Sequence, residues 1–453
     1  MKNHSEKILN GHIGDKLIRM AIPMGFGALA IMLFNIVDTF YISMLSTQHL
    51  AAIAFTFPIA IIVHALITGI GMGISVNVSQ ALGSGHYNKV KRLIVHSLIL
   101  GFLILIPLSV LGTLFKEQIF LAMGATPDLI PMILDYMTPW FFGIFFLAIP
   151  MLSNSIIRST GNTKTPAYIM MLSGLVNIVV NPILIFGIGP FPRMELFGAI
   201  LATIFAWFIA GLASLYVLIK KEKLLDLSDL YLDKIKDSFK SILHLALPAI
   251  GTNLLMPLTA TFLTKLVSQY GNYAVAAYGV ATRLQSLSLI GVLALASVMS
   301  PFIGQNIGAK KYERVIGTIR FGRKFSFIWG LSIFVIFILS GEYIARIFNN
   351  DPYIIGIIVF YMILTSLSYG FFGLGRFSNV SFNAMKKPLL SSIILIIRFF
   401  FLVIPLSYFG SKFFGLKGIF YGLFLSNVLY GIIGDSILRL YVNRNLLKKI
   451  TPN

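Results

Sequence analysis

Apolar residues run almost unbroken over transmembrane lengths along this chain, with short polar segments between the runs. Twelve runs stand out, at roughly 17–45, 49–82, 93–114, 130–157, 165–189, 196–219, 241–268, 274–307, 319–340, 353–383, 389–411 and 418–441. About 20 apolar residues span a bilayer as a helix, so the longer runs should tilt, bend or protrude. Their continuity, without period-two alternation, argues against a barrel. The pattern predicts an all-α integral membrane protein with twelve transmembrane helices.

Composition agrees with this reading. Of 453 residues, 57% are hydrophobic and 11% charged, against about 25% charged in a soluble domain. Lysines and arginines then set the orientation. With the N-terminus inside, the inner segments carry 27 of them and the outer segments 5 (Lys116, Arg193, Arg346, Lys412 and Lys417), which places both termini in the cytoplasm. The net charge of +20 is therefore a topology signal. Scattered over short loops, it forms no patch for nucleic acid. The absence of cysteine excludes a disulfide framework and thiolate chemistry. The charged first twenty residues do not read as a cleavable signal peptide.

The longest polar segment, 220–240, mixes 6 Lys with 5 acids and reads as a solvated cytoplasmic linker. It divides the chain into a six-helix lobe at 1–219 and another at 241–453. The halves repeat each other at an offset of 225, with Pro23 on Pro248, Gln80 on Gln305 and Gly83 on Gly308. Later helices match near 222, with "TKTPA" over "MKKPL" and "NPILIFG" over "IPLSYFG". An even number of spans per half makes the repeats parallel, an arrangement that suits alternating access.

Several stretches, taken in order, resemble the multidrug and toxic compound extrusion (MATE) family. They are "NIVDTFYIS" (35–43), "LAAIAFTFPI" (50–59), "QALGSGHYNKVKR" (80–92), "NSIIRSTGNTKTP" (154–166), "NIVVNPILIFG" (177–187), "VAAYGVATRLQS" (275–286) and "GQNIGAKKYERV" (304–315). An arginine in "LIIRFFFLVIPLSYFG" is similar to one in the DNA-damage-inducible (DinF-like) branch. The resemblance implies two six-helix lobes, a bacterial plasma-membrane location, and efflux of small organic cations in exchange for H⁺ or Na⁺. It implies no cofactor and no enzymatic activity, and the protein is expected to act as a monomer among membrane lipids.

Asp38 interrupts the first apolar run. A charged aspartate inside a membrane helix costs ~2.5–3.5 kcal/mol, so such residues face a bundle interior or cavity and serve function. Asp38 lies ~33 Å along the helix from Lys16, in the outer half of the bilayer. Asn177 and Asn181, four residues apart on one helix face, reach a similar depth from another helix, as does Thr203. A carboxylate desolvated among neutral groups can hold a proton at neutral pH and release it on hydration. The same oxygens can instead take a hard cation. The resemblance assigns cation coupling to these four positions, although many relatives carry Asp where this chain has Asn181. Three arginines, Arg283, Arg376 and Arg398, fall ~15–17 Å from the nearest loop. They must bind carbonyls, line a wet cavity or meet an anion. With Tyr41 and Asn154 they are the candidates for a substrate cavity.

Catalytic chemistry has no support: His64, His96 and His244 lack metal-ligand spacing, and no Walker sequence occurs. Transport would have to be driven by an ion gradient. The alternative is a lipid or lipid-linked oligosaccharide flippase, with the arginines holding a phosphate.

Overall fold

The computed structural model describes residues 8–226, 230 and 232–450. Lys2 and Lys7 of the inner charge count, and residues 227–229 and 231 of the linker, lie outside the described residues. The rest is helical: α1 (Ile13–Ser43), α2 (Thr47–Gly83), α3 (Tyr87–Leu114), a short α4 (Lys116–Ala122), α5 (Ile130–Ser159), α6 (Lys164–Phe186), α7 (Glu195–Tyr216), α8 (Ile235–Ser268), α9 (Asn272–Ser288), α10 (Ile290–Gly308), α11 (Tyr312–Arg346), α12 (Pro352–Ser366), α13 (Tyr369–Ala384), α14 (Pro388–Ile396) and α15 (Ile404–Asn445).

These account for twelve membrane crossings. Among the described residues, ten helical segments are long and apolar enough to cross alone, and the bent pair α12–α13 makes an eleventh. The twelfth is hidden inside the apparently continuous helix that starts at Pro388. It reverses at Gly415, whose φ of +62° and ψ of −144° no L-residue adopts readily. The arms after the reversal run antiparallel, with Gly410 against Gly418 and Leu406 against Gly422 at backbone contact.

Two spans are broken where the apolar pattern gives no warning. The eighth splits at Leu289 into α9 and α10, and Trp329 Nε1 donates to the Ser288 carbonyl at 2.8 Å. The tenth bends by 53° between α12 and α13. There the Thr365, Ser366 and Ser368 hydroxyls all donate back to backbone carbonyls of the preceding turn. Such back-bonding competes with the helical ladder and bends it.

The eleventh span contains a π-helical turn at Ile397–Val403. Pro388 follows Pro166 by 222 residues, but Pro405 follows Pro182 by 223. The second half therefore has one more residue in this stretch than the first, and a π turn is how a helix absorbs one.

The chain forms two compact units, one of residues 26–250 and the other of 251–450 with 8–25. This partition differs from the 1–219, 220–240 and 241–453 division in two segments. The linker is docked onto the first unit rather than simply solvated. Glu222 is buried and accepts from Asn162 Nδ2 at 2.9 Å, Lys91 meets Asp226 at 3.0 Å, and Ser241 donates to Asn77 at 2.7 Å.

The start of the chain packs into the second unit instead. Arg314 donates to the carbonyls of Gly11 (2.8 Å) and Ile8 (2.9 Å) and to Asn306 Oδ1 (3.1 Å), while Lys311 reaches the Leu9 carbonyl at 2.9 Å. Helix α1 is thus shared, its residues to Gly25 belonging to the second unit and the remainder to the first. Arg314→Ala strips three of these bonds. We expect a loss of about 1–3 kcal/mol, seen as a lower melting temperature and faster amide exchange around residues 8–17. Unchanged exchange there would show that Arg314 does not hold the segment.

Candidate ion-coupling site

Asp38 sits on α1 in the first unit, half-buried, and its carboxylate accepts a hydrogen bond at Oδ1 from Asn181 Nδ2. Asn181 is fully buried on α6. One turn earlier on the same face, Asn177 Nδ2 donates to Thr203 Oγ1 on α7 at 3.1 Å. Thr203 in turn donates to its own helix at the Ala199 carbonyl, 3.0 Å away. The four predicted residues are brought together, but as two pairs, Asp38 with Asn181 and Asn177 with Thr203.

Two features make the cluster suitable for a small cation. The Asn181 Oδ1 atom is buried and has no hydrogen-bond partner, although buried polar atoms are nearly always paired. Pro182 follows it within α6, and a proline lacks the N–H that would bond the carbonyl four residues back. The Ile178 carbonyl thereby loses its i+4 helical donor. An amide oxygen, a freed carbonyl and a carboxylate are hard acceptors suited to a proton or an alkali cation. Among the described residues no group of three or more His, Cys, Asp or Glu could hold a metal ion. The hydrogen-bonding partner of Asp38 in this cluster is a neutral amide.

Sequence reasoning missed Tyr136. It lies on α5, within electrostatic reach of Asp38, in "DYMTP" of the fourth apolar run. No depth or spacing argument marks it there. Tyr41, one turn beyond Asp38, packs edge-on against Phe186 with ring centroids 6.4 Å apart. Asn154 is half-buried on α5, and its Oδ1 has no partner.

The three arginines of the second unit separate. Arg283 is exposed on α9. Arg376 on α13 and Arg398 in the π turn lie within range of each other's charge. The Arg398 guanidinium carbon stands 4.9 Å from the Phe372 ring centroid, 5.3 Å from Phe399 and 4.6 Å from Tyr430. Its Nη2 reaches Asn427 Oδ1 only at 3.5 Å.

Comparison with known proteins covers almost the whole chain. The MatE family model matches residues 23–183 and 248–409. A Shewanella oneidensis protein named FAD transporter is 36% identical over 425 residues, covering 94% of each chain. The probable multidrug resistance protein YoeA of Bacillus subtilis is 26% identical over 80% of this chain and 79% of its own. Among solved structures, the Vibrio cholerae MATE transporter VcmN in the bent form superposes with a TM-score of 0.90 at 25% identity, covering 98% of this chain and 99% of that one.

Proposed function

This chain belongs to the MATE family of membrane transporters, and on that premise we propose that it is a secondary efflux antiporter of a bacterial plasma membrane, coupled through Asp38. It is a transporter rather than an enzyme. The observation that carries the coupling is the Asp38–Asn181 pair, a mid-bundle carboxylate held by a fully buried amide whose own oxygen lacks a partner. Bare, the carboxylate offers the one negative charge of the cluster to a cationic cargo. Protonated or ion-bound, it is neutral, the α1–α6 contact changes, and cargo release follows. A single carboxylate among neutral groups is a weak cage for Na⁺, which favours H⁺. Relatives bearing multidrug-resistance and multidrug-export names support drug-like small molecules as cargo, and the negative charge of bare Asp38 favours cationic ones.

A second cargo reading has its own observation. The relative named FAD transporter suggests an aromatic phosphate-bearing cargo, and the second unit holds two inward arginines with unpartnered Nε atoms. On this reading the same coupling drives export of an organic anion.

The test uses purified protein in liposomes loaded with ethidium, with a pH gradient or a Na⁺ gradient imposed alone. Efflux under the pH gradient alone supports proton antiport, and efflux under Na⁺ alone assigns the oxygen cluster to that ion. No efflux of ethidium or of FAD under either gradient would overturn the antiport reading.

A further inference from the structure

We infer that Arg376, Arg398 and Tyr430 form a binding site for a phosphate-type oxyanion inside the second unit. This deepens the second cargo reading and rests on it only for the identity of the cargo.

The inference starts from charge. Arginine does not lose its proton at any physiological pH, so two of them side by side within membrane-spanning helices keep two positive charges. The ionisable groups acting on Arg398 are Tyr430 and Arg376, with no carboxylate among them. The unit's buried Asp435 is engaged elsewhere, by Arg323 and by Arg439. Such arginines ordinarily pair with an acid or with backbone carbonyls. Among the described residues no carboxylate forms an ion pair with Arg376 or Arg398.

Hydrogen bonding points the same way. Arg376 Nε, Arg398 Nε and the Tyr430 hydroxyl are all buried, and none has a partner. One orphan donor is a local oddity. Three in a single electrostatic cluster fit an acceptor that offers several oxygens. Asn427 does not fill the gap, because its oxygen is at the limit of bonding to Arg398 and its amide donates to Ser368 at 3.2 Å.

Geometry decides the class of ligand. The Arg398 guanidinium is planar, and the Phe372, Phe399 and Tyr430 ring centroids lie 4.9, 5.3 and 4.6 Å from its carbon. The N–H edges are then left for an acceptor in that plane, the fork arrangement that matches phosphate oxygens. A single carboxylate would leave one of the two charges unmatched, whereas a phosphomonoester or pyrophosphate matches both. The π turn that carries Arg398 is a feature often found at functional sites in helices.

The phosphate could belong to a cargo or to a lipid headgroup, and two arms separate these. In the first, protein in maltoside detergent is titrated with riboflavin, FMN and FAD, which share a fluorescent ring but differ in phosphate. The wild type should hold FMN and FAD roughly tenfold or more tighter than riboflavin. Arg398→Gln and Arg376→Gln should erase that advantage, read as the ratio of the riboflavin to the FMN dissociation constant within each variant, while Arg398→Lys should restore part of it. In the second arm, thermal stabilisation by phosphatidic acid is compared with that by diacylglycerol. A phosphate-dependent shift lost in both glutamine variants, without preference for FMN, assigns the site to a headgroup. Should the glutamine variants not fold, Tyr430→Phe removes a single hydroxyl and should still reduce the phosphate advantage. The inference is overturned if neither arm shows a phosphate advantage, or if the advantage survives these substitutions. The ethidium assay reads gradient-driven efflux by the wild type rather than phosphate binding, so failure here would leave the antiport reading standing.

Discussion

Asp38→Asn should abolish gradient-driven efflux, with a fall of roughly a hundredfold or more, and should leave the fold intact. The substitution keeps shape and an oxygen acceptor, so Asn181 Nδ2 retains its partner. What disappears is the ability to exist in two charge states. Coupling free energies between transported species are about 1–3 kcal/mol, or up to about 150-fold, and the proposed mechanism routes all of that coupling through one carboxylate. Removing a charge from the bundle interior also removes its desolvation cost, so the melting temperature should stay level or rise. Efflux rates and melting curves measured on the same preparation would check both halves. A variant that pumps at the wild-type rate would sink the assignment, and one that loses both activity and stability would mark Asp38 as structural.

Gly418→Leu should prevent the last two spans from forming at all. Any Cβ at this position would collide with the Gly410 carbonyl oxygen, and one at Gly410 would meet Gly418. Backbone atoms cannot rotate out of the way as a side-chain tip can, so the antiparallel arms would have to separate. The cost is on the order of 4 kcal/mol, above the roughly 1–3 kcal/mol typical of overpacked cores because backbone must be displaced. Gly251, within α8, is the control, because a Cβ there would meet nothing within 4 Å. We expect Gly251→Ala to elute as a monodisperse species after solubilisation, and Gly418→Leu to aggregate or be degraded. Equal recovery of the two would mean that the close approach does not hold the hairpin.

The twelve spans were legible because bilayer thickness imposes a minimum apolar length, which leaves a mark on every helix. The breaks at Leu289 and after Ser366 were not. The first goes with the Trp329 indole on the Ser288 carbonyl and the second with hydroxyl groups bonding backward, neither of which short apolar context reveals. The site was half legible. A four-residue spacing put Asn177 and Asn181 on one face, yet spacing cannot say that one would pair with Asp38 and the other with Thr203. Tyr136 escaped because a tyrosine in an apolar run has no fixed depth. The linker misled for a related reason. Its charges looked solvated, but Glu222 finds the buried Asn162 through a fold contact 60 residues away.

The π turn at Ile397–Val403 has a consequence at the level of the gene. One additional codon in the second half turns every residue before it by about 100° relative to those after it. Without it, Pro405 and the turn at Gly415 could keep their places only if Arg398 left its ring of aromatic side chains. Deleting one codon between 397 and 403 would bring this helix into the phase of its first-half counterpart, α6, and leave a repeat whose two halves differ less.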